Sequence, residues 1–304
     1  MSGGKRVAVI GLGSMGFGMA TSLRRAGHEA VGFDISPVAV ERFVVEGGIG
    51  AGSAAEAARG AAIVVSVVVN AAQTEALLFG EGGVADSMPA GAVFVSSATM
   101  DPDVARRLAT RLEASGRLYL DAPMSGGPAR AAEGQLTMMA SGSSAAFAAA
   151  RPALDAIAGT VYELGDVAGA GSAFKMINQL LAGVHIAAAC EAVAFAARQG
   201  LDLARVYEVI TASAGNSWMF QNRVPHILAG DYSPASAVEI FVKDLGIVQD
   251  MARAHRFPVP VAAAALQMFL ATAGAGMGRD DDSSVARLYA SIGNATLPGD
   301  EPDR

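Results

Sequence analysis

Cysteine is almost absent from this chain: Cys190 is the single example among 304 residues. One thiol excludes an internal disulfide, which fits a reducing cytoplasm, and its apolar helical setting predicts a buried structural role. The four histidines (His28, His185, His226 and His255) are scattered. None forms an H-x-x-x-H or Cys/His cluster, so no metal site is legible. Basic residues are outnumbered, 22 Lys and Arg against 29 Asp and Glu, for a net charge of −7. That balance lacks the basic face that nucleic acid or an anionic membrane would require. Charge of either sign is scarce at 17%, against 52% hydrophobic residues. The chain can therefore bury a large core, and its length suits two domains. No repeat and no disordered linker is visible.

Two stretches imitate membrane signals. Lys5-Arg6 before VAVIGLGSMGFGMA has the outline of a secretory leader, but a glycine fingerprint accounts for the same residues. Phe257 to Gly278 carries no charge over a near-spanning length. Pro258, Pro260, Gln267 and its glycine-rich end instead predict a buried core helix over about 259–273. A soluble protein is expected.

Short apolar runs alternate with helical patterns up to about residue 164: Arg6–Ile10, Ala30–Phe33, Ile63–Val69, Val93–Ser96, Leu118–Asp121, Leu136–Ala140 and Val161–Leu164. Alternation of this kind means βαβ units and a largely parallel sheet. Beyond Gly165 strand-like runs give way to helical periodicity up to about residue 292. The fold class is α/β followed by all-α, with domains over 1–165 and 166–304. A helix over about 171–197 joins them, and Met176 to Ala197 is apolar enough to be buried. The polar tail from Pro298 to Arg304 reads as frayed.

The first strand runs into Gly11-Leu12-Gly13-Ser14-Met15-Gly16, a G-x-G-x-x-G, and a helix follows over Phe17–Ala26 with Gly27 as its stop. In that context the glycines permit a tight turn, approach of a pyrophosphate and close helix packing, and the helix N-terminus offers N–H groups. The second strand ends at Asp34, placed to accept hydrogen bonds from an adenine ribose. A carboxylate there repels a 2′-phosphate, and Ile35 and Ser36 bring no cation, so NAD is favoured over NADP. Val69-Asn70 and Ser96-Ser97-Ala98-Thr99, at the ends of the next strands, should also touch the cofactor; Thr99 could instead cap a helix before Pro102.

Ser125-Gly126-Gly127 follows the fifth strand and reads as a nest for a carboxylate, with a mere turn as the alternative. Ala131 to Gly134 reads as a structural turn. Gly169-x-Gly171 then opens a helix with Lys175 one turn in and Asn178 three residues later on the same face. A buried lysine has a lowered pKa and suits general acid–base work; snorkelling to the surface is the alternative. Lys243-Asp244 is either part of a site or a solvated pair. Trp218 is either a pocket wall or core, with Asn216 and Ser217 as contacts for substrate hydroxyls.

GLGSMG, DAPMSGGPARAAEG, GAGSAFKMINQ and FVKDLG together resemble the β-hydroxyacid dehydrogenases, in the right order over nearly the whole chain. The resemblance implies a Rossmann-like N-terminal domain, an all-α C-terminal domain and a small hydroxy-acid substrate. It implies Lys175 as acid–base, Ser125–Gly127 on the substrate carboxylate, Asn178 on the substrate and Lys243 beside the nicotinamide. Many members carry a second asparagine where this chain has Gln179, which leaves the amide contact open. The Ala-rich helices suggest a homodimer or homotetramer. A semialdehyde reductase using NADPH and a non-catalytic NAD-binding regulator are the rivals. Asp34 argues against the first, and intact Lys175 and Ser-Gly-Gly against the second.

Overall fold

The computed structural model describes residues 4–299; the end of the tail expected to fray, residues 300–304, lies outside them. By contacts the chain divides into two compact units, Met1–Lys175 and Met176–Arg304.

The first unit is built on a six-stranded, all-parallel sheet. In chain order its strands are β1 (Arg6–Ile10), β2 (Glu29–Phe33), β3 (Ile49–Gly50), β4 (Ile63–Ser66), β5 (Val93–Ser96) and β6 (Leu118–Asp121). In space they run β3-β2-β1-β4-β5-β6. Both faces are covered, which explains the unbroken apolar runs. Val7, Val9, Val65 and Val95 serve one face and Ala8, Ile10, Val64 and Phe94 the other. The chain crosses from one side of β1 to the other at β4, and ligands of such sheets bind beyond the strand ends at that reversal.

A separate three-stranded sheet follows: β7 (Met124–Ser125) antiparallel to β8 (Leu136–Ala140), and β8 parallel to β9 (Ala158–Glu163). Leu136–Ala140 therefore does not extend the main sheet. Two strands, Ile49–Gly50 and Met124–Ser125, were not expected at all; at two residues each, neighbours rather than sequence pattern define them. The run Ile63–Val69 stops pairing as a strand at Ser66. Val67 still donates to the Ile10 carbonyl (2.8 Å), and the chain then leaves the sheet.

Helix α1 (Ser14–Arg25) follows β1. The segment read as a turn, Ala131 to Gly134, is instead the end of helix α6 (Gly127–Glu133), with Gly134 as its left-handed cap. This helix lies hard against α1. A Cβ on Gly18 would come within 2.6 Å of the Ala132 nitrogen, and the Ser22 hydroxyl donates to the Ala131 carbonyl.

The second unit is helical, from α8 (Ala170–Arg198), whose start belongs to the first unit, to α13 (Val285–Gly293). It includes α10 (Trp218–Ala229), α11 (Val238–Ala254) and α12 (Pro260–Thr272). Both α8 and α12 are long and apolar enough to cross a membrane by length and composition. Neither is buried all round, contrary to expectation. Phe174, Ile177, Leu181 and Phe195 on α8 are exposed, and α12 buries one face through Ala262, Ala265, Phe269 and Thr272. The start of the tail is not frayed: Pro298 and Gly299 lie against Gly230.

An ion pair sits inside this unit. Arg223 grips Asp282 with Nε on Oδ1 and Nη2 on Oδ2, and the Asp282 side chain is fully enclosed. Burial, offset in part by the Arg223 charge, pushes the Asp282 carboxyl up to about 6.

Candidate active site

The glycine loop after β1 is shaped by close approach. Gly11 has φ +95°, and a Cβ there would lie 2.6 Å from the Val67 carbonyl oxygen. A Cβ on Gly16 would lie 1.8 Å from the Gly11 oxygen, whereas one on Gly13 would meet nothing within 4 Å. Gly13 and Ser14 are thus exposed at the N-terminus of α1, where no side chain caps the helix. Leu12 is buried and Met15 half-buried. This open, donor-rich turn fits a pyrophosphate.

Asp34 directly follows β2 and is locked to the same turn. Its Oδ2 accepts from the Leu12 N–H (2.6 Å) and its Oδ1 from the Ser36 N–H (2.8 Å). The carboxylate is held in place with lone pairs remaining for ribose hydroxyls. Val69 is exposed beyond β4. Asn70 caps helix α4 (Ala71–Phe79) through the Gln73 N–H, and Gln73 returns a bond to the Val69 N–H. Of the hydroxyls at the end of β5 and just beyond it, those of Ser96 and Ser97 are buried and that of Thr99 is half-buried. Thr99 is not a helix cap. Asp101 caps α5 (Pro102–Glu113), accepting from the Asp103 and Val104 N–H groups.

Lys175 is buried at 8% exposure and does not snorkel. Its Nζ donates to the Met124 carbonyl oxygen at 2.7 Å, one residue before Ser125. Ser125, Gly126 and Gly127 are all partly accessible, and Gly126 and Gly127 both have positive φ. The first unit therefore brings the lysine and the Ser-Gly-Gly segment together.

Asp121 is the last residue of β6. It is wholly buried and gathers the N-terminus of α8. Oδ2 accepts from the N–H groups of Gly169 (2.9 Å) and Ser172 (2.8 Å), and Oδ1 from the Ser172 hydroxyl (2.7 Å). Burial nonetheless outweighs these bonds and raises its carboxyl above the usual range. The only sequence signal was an aspartate at a strand end.

In the second unit a chain of hydrogen bonds links four predicted or neighbouring residues. Asn178 Nδ2 donates to Gln179 Oε1 (2.9 Å), Gln179 Nε2 to Asp244 Oδ2, and Lys243 Nζ pairs with Asp244 Oδ1. Asp244 is 1% exposed, so the alternative of a solvated charge pair is wrong. Gln179, a departure from the family pattern, is itself buried in this chain of bonds. Asn216 stands apart, with Nδ2 on the Thr211 carbonyl (3.1 Å). Ser217 caps α10, and Trp218 is half-exposed while its neighbours Met219 and Phe220 form the core. Trp218 is therefore not a core residue.

Two family models match. The NAD-binding domain of 6-phosphogluconate dehydrogenase covers residues 6–165, and the NAD-binding model of NADP-dependent 3-hydroxyisobutyrate dehydrogenase covers residues 169–289. An L-threonate dehydrogenase of Cupriavidus necator is 54% identical, over 97% of this chain and 98% of its own. The chain belongs to the β-hydroxyacid dehydrogenase family. Among other members of this family, a 3-hydroxyisobutyrate dehydrogenase of Pseudomonas aeruginosa is 34% identical over 93% of this chain and 98% of its own. A crystal structure described as 3-hydroxyisobutyrate dehydrogenase from Salmonella typhimurium is 51% identical with a TM-score of 0.89, covering 93% of this chain and 99% of that one. The protein is accordingly a hydroxyacid dehydrogenase with a Rossmann-like NAD-binding domain followed by a helical domain.

Proposed function

We propose that this dehydrogenase oxidises L-threonate at C2 to its 2-oxo acid, using NAD rather than NADP, with Lys175 as the acid–base. The observation that carries the chemistry is the buried Lys175 ammonium position beside Met124 and the Ser125–Gly127 loop. Bound NAD supplies the acceptor for the hydride. Neutral Lys175 takes the hydroxyl proton, and in reverse its ammonium returns a proton to the carbonyl oxygen. Its bond to the Met124 oxygen anchors the amine through one N–H. Ser125 and the Gly126 and Gly127 amides hold the substrate carboxylate. Asn178 orients the substrate hydroxyl, and Gln179, Asp244 and Lys243 hold Asn178 in place. Asn216 and Trp218 are assigned to the substrate as well. Gly11 to Gly16, Val69, Asn70, Thr99 and Lys243 serve the cofactor.

Support for threonate is comparative: relatives at 47–54% identity are named L-threonate dehydrogenases, against 34% for the 3-hydroxyisobutyrate enzyme of P. aeruginosa. The Salmonella structure, 51% identical and described as acting on 3-hydroxyisobutyrate, makes that acid the second reading. Support for NAD is Asp34, whose fixed carboxylate repels a 2′-phosphate. A cytoplasmic homodimer or homotetramer agrees with the single cysteine and with the exposed apolar side chains of α8.

The test is NADH formation with purified protein against L-threonate, D-threonate, D-erythronate, 3-hydroxyisobutyrate and glycerate. Turnover confined to L-threonate is the expected result; preference for 3-hydroxyisobutyrate replaces the substrate. Lys175→Ala should lose turnover by a factor of about 1,000 or more while NAD binding persists. Activity above a few per cent of wild type would remove Lys175 from the acid–base role.

A further inference from the structure

Four interactions close a ring around the lysine. The Asp121 carboxylate holds the Gly169 and Ser172 N–H groups and the Ser172 hydroxyl. The chain then runs three residues from Asp121 to Met124, whose carbonyl oxygen takes the Lys175 Nζ at 2.7 Å. One helical turn leads from Lys175 back to Ser172, on the same face. The Ser141 hydroxyl braces the ring: it accepts from the Gly171 N–H (2.9 Å) and donates to Asp121 Oδ2 (3.3 Å). The main chains of Asp121 and Ser141 also exchange hydrogen bonds of 3.0 and 2.8 Å. Gly171 admits no side chain at this crossing, since a Cβ would lie 2.3 Å from the Met139 carbonyl oxygen and 2.8 Å from that of Asp121. Donor and acceptor of the lysine contact are thus fixed to one buried carboxylate.

We propose that Asp121 is a positioning residue for the hydride-transfer reaction, holding the first turn of α8 so that Lys175 Nζ stays on the Met124 carbonyl beside Ser125. The proposal rests on the acid–base reading of Lys175. It goes further in assigning the placement of that amine to a carboxylate that touches neither substrate nor cofactor. A helix start held by solvent-exposed caps could shift by a fraction of an ångström, whereas this one is tied to the same strand end that carries the acceptor. Small displacements of a proton-transfer group cost large factors in rate.

The test compares Asp121→Ala, Asp121→Asn, Ser172→Ala and Lys175→Met by kcat, KM, NAD affinity from fluorescence, and melting temperature. Asparagine keeps an oxygen for the two N–H groups and can donate to the Ser172 hydroxyl, so it rebuilds the ring without the charge. Asp121→Ala should lower kcat by about 100-fold with NAD affinity within about threefold of wild type. Asp121→Asn should recover most of that loss. Ser172→Ala leaves the backbone caps in place and should lower kcat severalfold; it decides the matter if Asp121→Ala does not fold. Full kcat in Asp121→Ala or, failing that, in Ser172→Ala overturns the proposal. So does a loss in Asp121→Asn as deep as in Asp121→Ala. An inactive Lys175→Met beside a fully active Asp121→Ala overturns this proposal alone, whereas an active Lys175→Met overturns the acid–base reading with it.

Discussion

Single atoms decide the cofactor end of the site. Asp34 engages both oxygens with backbone N–H groups, that of Leu12 in the glycine loop and that of Ser36 in its own. Under the proposed preference for NAD this fixed charge would face a 2′-phosphate, and like charges brought together cost about 2 kcal/mol or more. Asp34→Ser should raise the affinity for NADP relative to NAD by about tenfold or more, read from the two Kd values. An unchanged ratio would assign the preference to other residues. The glycine turn was legible in the sequence because its backbone geometry follows from residue type and spacing alone. Asp121 and Gln179 were not. Their roles come from partners 51 and 65 positions away, Ser172 and Asp244, which no local pattern announces.

At the scale of elements, three strands of the main sheet were legible to the residue: Arg6–Ile10, Val93–Ser96 and Leu118–Asp121 have the bounds of their apolar runs. Leu136–Ala140 also keeps its bounds, but it alternates in burial and pairs in the second sheet. The error at Ile63–Val69 has a plain cause: Val67 to Val69 are apolar but lie past the point where β1 offers a partner strand. The two-residue strands are defined by their neighbours. Helix burial was overstated because composition reports how apolar an element is and not how many of its sides are covered. The alternative reading of Thr99 as a cap falls at α5, where Asp101 caps the helix. Asp101→Ala should cost about 1 kcal/mol of stability and leave NAD affinity unchanged. A large loss of NAD affinity would show that this cap also shapes the cofactor loop around Thr99.

For the whole molecule, the enclosed Arg223–Asp282 pair sets a pH dependence whose sign is opposite to that of most carboxylates. The Asp282 carboxyl stands at about 6 in the fold, above the ordinary 3.8. Between those values the folded chain binds more protons than the unfolded one, so this group's contribution to stability falls as pH rises. It is fully present below about pH 4 and lost by about pH 6. Relative to Asp282→Asn, the wild type should therefore lose melting temperature from pH 4 to pH 6 and run parallel above it. A wild-type advantage that grows with pH across that window would contradict the assignment.

The lone cysteine gives that unit a built-in clock. Cys190 is fully enclosed, its Sγ rests on the Ser283 carbonyl (3.5 Å), and burial together with the nearby Asp282 charge drives its thiol well above the usual range. Since the chain has no second thiol, a disulfide-exchange reagent has one target, and the folded state hides it. The slow appearance of labelled protein would report each opening of the helical unit around Cys190, with no engineered probe and no background to subtract. Bound NAD or substrate that steadies this unit should lengthen the labelling half-time in proportion, and rapid labelling of the native protein would show that the enclosure opens without unfolding.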